Sequence, residues 1–204
     1  MPIKTKKPSM KQTVGAQYIC FADMSEDEEF DGTYEADVEK TEVVKQVKVT
    51  ENSDASDSYA SGKVYDSDTP ISSIDIETEV IAFPDDTIAR LRGDTVDNGL
   101  ILAGANSTRP FFAYGKVVKL RNGSCRFEWY PKCKLTENSD DIATSEEKSS
   151  EQTDTIKIRA YPFDARGNIV CKVTESTMPE GMTEAKFFAK PILTSADITS
   201  AVGV

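Results

Sequence analysis

The side chains best suited to chemistry in this 204-residue chain are carboxylates and thiols, since it contains no histidine. Losing histidine removes the group whose ordinary pKa lies nearest neutrality, and with it the commonest general base and metal ligand. Ser-His, Cys-His and His-metal sets are therefore excluded. The adjacent acids Asp85-Asp86 and Asp140-Asp141 have the residue type of a glycosidase pair. Neighbours in sequence rarely converge on one site, however, and nothing around them sets a separation across a substrate. The acidic run from Asp23 to Gly32 lacks the glycine at position six and the glutamate at twelve of a calcium loop. Cys20, Cys125, Cys133 and Cys171 form no C-x-x-C pair, so neither a zinc ribbon nor a redox motif is expected. The glycine-containing stretch from Gly99 to Gly104 lacks the lysine of a phosphate loop. No catalytic residue, metal or cofactor is expected.

The composition bounds the rest. A chain of this length can form a single domain over residues 1–204, burying roughly 70% of its unfolded surface. With 38% apolar residues and a mean hydropathy of −0.43, long solvated loops are expected. The net charge of −11 opposes binding to nucleic acid, whose duplex carries about one negative charge per 1.7 Å. Residues 1–12 hold lysines but no apolar core, so no secretory signal is expected, and no apolar run reaches the length of a membrane span. A reducing cytoplasm with free thiols is the simplest compartment. Cys125 and Cys133 have even spacing on one predicted strand and should face the same way as small, half-buried residues. The Asn106-Ser107-Thr108 and Asn122-Gly123-Ser124 triplets then match glycosylation acceptors by chance.

The elements are mainly strands. Gln17 to Ala22 reads as a first strand, and Val43 to Thr50 as another, with Val43, Lys45, Val47 and Val49 on one side. Ile71 to Val80 alternates most cleanly: Ile74, Ile76, Thr78 and Val80 share one face, while Ser73, Asp75, Glu77 and Glu79 share the other. Pro84, Asp85 and Asp86 suit a first helical turn, Ile88 and Leu91 supply an apolar face, and Gly93 stops the helix. Leu100 to Ala103 could be a short strand, and Thr183 to Phe188 a helical turn. Glu51 to Ser61 reads as a loop. PFFAYGKVVKL and CRFEWYPKCKL flank Asn122-Gly123, which predicts a type I′ hairpin. DTIKIRAYPFD and IVCKV around residues 165–168 predict a second pair. Phe127 and Trp129 share a face with Cys125 that suits a core better than a platform for stacked bases.

Charge is unevenly spread. Residues 109–134 carry seven bases (Arg109, Lys116, Lys119, Arg121, Arg126, Lys132, Lys134) against Glu128 alone. Residues 23–39 carry nine acids and no base, and residues 137–154 carry seven acids and one lysine. A basic hairpin meeting a neighbouring copy's acidic loop would steer association and fix register.

The order hairpin, acidic insert, strand resembles the major tail protein of long-tailed bacteriophages, the subunit of the tail tube. The resemblance rests on Phe111-Phe112-Ala113-Tyr114-Gly115, then Asn122-Gly123 with Arg126-Phe127-Glu128-Trp129-Tyr130, then Asp154-Thr155-Ile156-Lys157-Ile158, and covers roughly residues 42–191. Residues 1–41 would be an N-terminal arm and acidic loop, and 137–154 an acidic loop insert. The resemblance implies an antiparallel β-sandwich or partly open barrel with one short flanking helix. It also implies six copies closing a ring edge to edge, and rings stacking into a tube through which DNA passes without specific binding. Tape measure, tail terminator and distal tail proteins would be partners. The place would be the virion tail, after assembly in the host cytoplasm, with no membrane involved. Asp75, Glu77 and Glu79 are then lumen candidates. Residues 51–68, with Asp54, Asp57, Asp66 and Asp68, would reach the next ring, with 137–154 as second choice. A monomeric or trimeric binding module (adhesin-like or capsid-decorating) and a carboxylate-based enzyme are the rivals from other classes.

Overall fold

A computed structural model describes residues 6–23, 30–53, 55–105, 107–140, 142 and 152–203. Its strands are β1 (Lys11–Phe21), β2 (Glu39–Thr41), β3 (Val44–Ser53), β4 (Ser56–Ala60), β5 (Lys63–Asp68), β6 (Ile71–Val80), β7 (Thr95–Asp97), β8 (Leu100–Leu102), β9 (Phe112–Leu120), β10 (Cys125–Asp140), β11 (Asp154–Ala160) and β12 (Cys171–Val173). Three short helices are α1 (Asp85–Arg92), α2 (Glu184–Phe187) and α3 (Ser195–Val202). The main sheet runs β2-β1-β9-β10-β11-β6-β3, entirely antiparallel, with β12 added to β10. It rolls up without closing, as expected of a mainly β chain with a partly open barrel. Two hairpins, β4-β5 and β7-β8, stand apart from it.

The roll has two cores, one on each face. Inside it lie Ile19, Phe21, Ile74, Ile76, Phe112, Tyr114, Tyr130, Leu135, Ile156 and Ile158, closed at one end by Phe83 and by Leu91 of α1. Outside, the β1-β9-β10 region is covered by Met182, Phe187, Phe188 and Ile192 of the C-terminal segment, which pack on Tyr18, Ala113, Val117, Phe127 and Trp129. The Phe188 ring stacks on Tyr18 at 4.0 Å, and Trp129 Nε1 donates to the Phe187 carbonyl at 3.0 Å. β10 serves both cores because its register shifts between Tyr130 and Cys133. One inserted residue reverses which face later residues present. Phe127 and Trp129 therefore point out and Leu135 points in, although all three are odd-numbered.

The alternation expected of Ile71–Val80 is observed: Ile74, Ile76, Thr78 and Val80 are buried. The helix starts after Pro84 and ends at Gly93, whose φ of 73° is the left-handed conformation glycine takes without strain. On β3, a register shift after Val44 leaves Val43 exposed while Val44, Val47 and Val49 pack on the core.

Four expectations are corrected. Residues 121–123 form a three-residue loop instead of a type I′ turn: Gly123 N–H donates to the Leu120 carbonyl, and only Gly123 has positive φ. The Asn122 side chain accepts from Ser124 N–H at 3.3 Å, which holds that residue outside the left-handed region. The two-residue Asn-Gly turn occurs at residues 98–99, both with positive φ, joining β7 to β8. Secondly, β12 pairs with β10, not β11, because residues 161–170 carry the chain past β11 to the other half of β10. Thirdly, the stretch from Glu51 to Ser61 is not a loop: β3 continues to Ser53 and β4 pairs β5 through a left-handed Ser61-Gly62 turn. Finally, Glu137 to Asp140 and Asp154 belong to β10 and β11 and not to the acidic insert. Asp54, Asp141 and 143–151 lie outside the described residues.

Gly115 tests the outer core. A Cβ there would meet Phe188 Cε1 at 2.7 Å and Trp129 Cε3 at 3.0 Å. Gly115→Ala is expected to cost about 2 kcal/mol by overpacking and to lower Tm by ~6 °C. Adding Phe188→Leu should recover part of the loss, and equal melting of Gly115→Ala and the parent would refute this packing.

Candidate assembly surface

β10 is 16 residues long, and β9 pairs with it only from Cys125 to Cys133. β9 cannot extend backwards, since Pro110 has no N–H to give. Arg109 replaces it in part, its Nη1 donating to the carbonyls of Leu135 at 2.8 Å and Thr136 at 2.7 Å. Beyond that, Glu137 to Asp140 pair only with β11 among the described strands. At the other margin β3 pairs only with β6. The four strands β3-β6-β11-β10 thus form a wing with a free edge on each side. Free edges are templates for pairing with another chain.

One face of this wing is the inner core, and the other carries charges. Asp75 accepts from Arg159 Nε at 2.7 Å and from Asn52 Nδ2 at 2.8 Å. Glu77 lies in register between Lys48 and Lys157, Lys157 pairs with Glu137 at 2.7 Å, and Glu79 accepts from Thr153 at 2.9 Å. The Arg159 guanidinium, helped by Asn52, holds the Asp75 carboxyl below its ordinary value, against the opposing effect of burial. The acidic stripe seen in the sequence is therefore half of a mixed ladder, whose bases come from β3 and β11.

The seven bases of residues 109–134 do not form one patch. Lys116 and Arg126 point into the roll at Glu128, 3.2 and 2.6 Å away. Lys132 sits over the rings of Phe30 and Phe111, and Lys134 sits 4.1 Å over Phe111. Arg109 is engaged at the β10 edge. Lys119 is exposed beside the loop, and Arg121 contacts the sulfur of Met10. Lys116 is thus occupied inside its own chain, an ion pair missed in sequence because it crosses two strands. Asp57, Asp66 and Asp68 stand on the projecting β4-β5 hairpin with exposed Tyr59, Val64 and Tyr65. Glu35 and Glu39 of the N-terminal acidic run bind Arg90 of α1.

Among the described residues no three Cys, Asp or Glu gather as metal ligands. The thiols are ordinary packing groups: burial pushes Cys20 up to about 12 and Cys171 to about 11, and moves Cys133 further up. Tyr114 and Tyr130 are raised in the same way by burial.

Burial works to raise the Glu128 carboxyl, but Lys116, Arg126 and the Tyr130 hydroxyl outweigh it, so the group titrates below its ordinary value. Its contribution to stability is then present above the unfolded carboxylate value, about 4.3, and is lost as pH falls through the lower folded value. Glu128→Gln should cost about 3 kcal/mol at pH 7 by leaving the buried Lys116 and the half-buried Arg126 uncompensated. It should also flatten the acid limb of stability against pH. Chemical denaturation at several pH values reads both effects, and an unchanged acid limb would contradict this assignment.

No family model and no curated protein matches the chain. Among the solved structures it is similar to are three that share 8% identity with it. They are the cap that terminates the anti-feeding prophage tube (TM-score 0.48, covering 85% of this chain and 95% of that one), a subunit of the extended sheath-tube complex of an extracellular contractile injection system (0.44, 77% and 87%) and a subunit of the anti-feeding prophage baseplate (0.41, 84% and 97%).

Proposed function

We propose that this chain is a structural subunit of a phage-type tail tube, with copies joined into rings through the wing's two free edges. The observation that carries the reading is the direction of those edges. β3, β6, β11 and β10 alternate, so β3 and β10 run oppositely. Rotation about a ring axis brings β3 of one copy beside the free stretch of β10 in the next with antiparallel sense. The join then has the same hydrogen-bond pattern as the sheet within each subunit. Such a contact is heterologous and closes into a ring when the rotation divides the circle. Six copies follow from the sequence resemblance.

On this reading the charged face of the wing lines the lumen, with Asp75, Glu77 and Glu79 balanced by Lys48, Lys157 and Arg159. A near-neutral, half-exposed ladder gives passing phosphates little to bind, which serves DNA transit without specific contact. The β4-β5 hairpin, with Asp57, Asp66 and Asp68, reaches the adjacent ring, while Arg109, Lys132 and Lys134 meet acidic segments of neighbours. The other partners are the tape measure, terminator and distal tail proteins, in a virion tail assembled in the host cytoplasm. The subunit turns over no substrate and forms one domain over residues 1–204.

Electron microscopy of the purified full chain is expected to show rings or tubes. A peptide spanning residues 44–53 in excess should block their growth by capping β10. Assembly should slow from low to high salt as the charged contacts are screened. Monodisperse monomers or trimers at every concentration would overturn the proposal in favour of a binding module.

A further inference from the structure

We propose that Asn98 is a site of spontaneous covalent modification, its side-chain amide becoming a carboxylate by cyclisation on Gly99, while the fold protects the identical dipeptide Asn122-Gly123. In this reaction the Gly99 backbone nitrogen, having lost its proton, attacks Asn98 Cγ. The N–Cγ bond forms, the Cγ–Nδ2 bond breaks, and Nδ2 leaves as ammonia after taking up a proton. Water then opens the cyclic imide. Attack at Cγ gives aspartate, and attack at the main-chain carbonyl gives isoaspartate, whose chain runs through Cβ. Glycine suits the second position because it has no side chain to block a close approach.

The two dipeptides differ in the contacts that control this reaction. The Asn98 amide makes one hydrogen bond, Nδ2 donating to Asp97 Oδ1 at 3.1 Å. Outside the β7-β8 ladder, no group among the described residues accepts from the Gly99 N–H. Both residues are exposed, and a Cβ built on Gly99 would meet nothing within 4 Å, so a ring has room to form. At the other dipeptide the attacking group is occupied, since Gly123 N–H donates to the Leu120 carbonyl at 3.0 Å. The amide it would attack is held at both ends: Asn122 Nδ2 donates to Glu175 Oε1 at 2.5 Å, and Oδ1 accepts from Ser124 N–H at 3.3 Å and Oγ at 3.0 Å. The surroundings differ as well. β7 and β8 have three residues each and pair only with one another, and Asn98 holds a φ of 49°, uncommon outside glycine. A lone two-stranded hairpin is marginal in water, so this turn opens readily and samples the attacking conformation. The loop at residues 121–123 instead joins two interior strands of the main sheet.

Either product adds a negative charge beside Asp97, and isoaspartate lengthens the turn, so the Asp97-Leu100 pairing that closes the hairpin is disturbed. The change falls near the open stretch of β10, because Ile101 of β8 lines one cavity with Asn138 and Asp140. The chemistry itself does not depend on assembly. The test incubates the unassembled full chain in mildly alkaline buffer, beside the same chain unfolded in urea, and follows both dipeptides by peptide mapping with mass spectrometry. In the folded chain Asn98 should convert at least roughly tenfold faster than Asn122, the factor set by one or two net hydrogen bonds that must first break. In urea the two should convert at similar rates, since each is asparagine followed by glycine. Glu175→Ala, a change at an exposed position, should speed Asn122 several-fold and leave Asn98 unchanged. The rate at Asn98 should rise with pH, because the attacking nitrogen must lose its proton; a rate indifferent to pH would contradict cyclisation. Asn122 converting as fast as Asn98 in the folded chain, or Asn98 staying intact there while the unfolded chain converts, would overturn the proposal.

Discussion

Much in this molecule depends on β10 being longer than the strand beside it. Its first half is paired on both sides, by β9 and β12, and its second half mainly on one, by β11. The register shift around Pro131 turns its side chains over, so that one strand anchors two cores. That arrangement ties the C-terminal aromatic residues to the outside of the roll. It also leaves Glu137 to Asp140 with no described strand on the side away from β11, and Arg109 reaches only the carbonyls of Leu135 and Thr136 just before them. The long edge of β3 completes the picture, because the two margins belong to the same four-stranded wing.

The distribution of charge follows the same plan. An acidic chain has placed bases where its strands bring acids together: Arg159 against Asp75, Lys157 against Glu137, and Arg90 against Glu35. Such exposed pairs contribute little to stability individually, and their effect here is to neutralise a face. Lys116 and Glu128 differ because they are buried, where breaking the pair costs far more than making it gains. With Gln17 and Thr78 they form a polar layer at one end of the apolar interior.

Much of the fold was legible in the sequence, for physical reasons that also mark where reading stopped. β6 was read to its ends because one face is buried and the other wet, so its residues alternate without interruption. α1 was bounded by a proline and by a glycine whose conformation only the backbone demands. Local signals failed where tertiary contacts decide. Asn122-Gly123 carries the hairpin dipeptide, but a side-chain hydrogen bond to Ser124 selects another loop. The turn that does obey the rule, at Asn98-Gly99, joins β8, which the apolar run from Leu100 suggested, to a β7 of only three residues, too short for periodicity to reveal. The partner of β12 and the pairing of Lys116 with Glu128 require knowing which strands are neighbours, which one chain's pattern does not encode. The acidic stripe of β6 was legible, while its balancing bases lay on other strands.

The claim that β3 is left open within one subunit and completed by another is tested most directly by amide hydrogen exchange along residues 44–53. In dilute, unassembled protein, the account predicts two classes of amide: those directed at β6 exchange slowly and those directed outward exchange rapidly. In concentrated, assembled protein the outward class should become protected together with residues 137–140, and the β4-β5 turn should change independently. Outward amides of β3 already protected in the dilute protein, or still unprotected in the assembled one, would contradict the account.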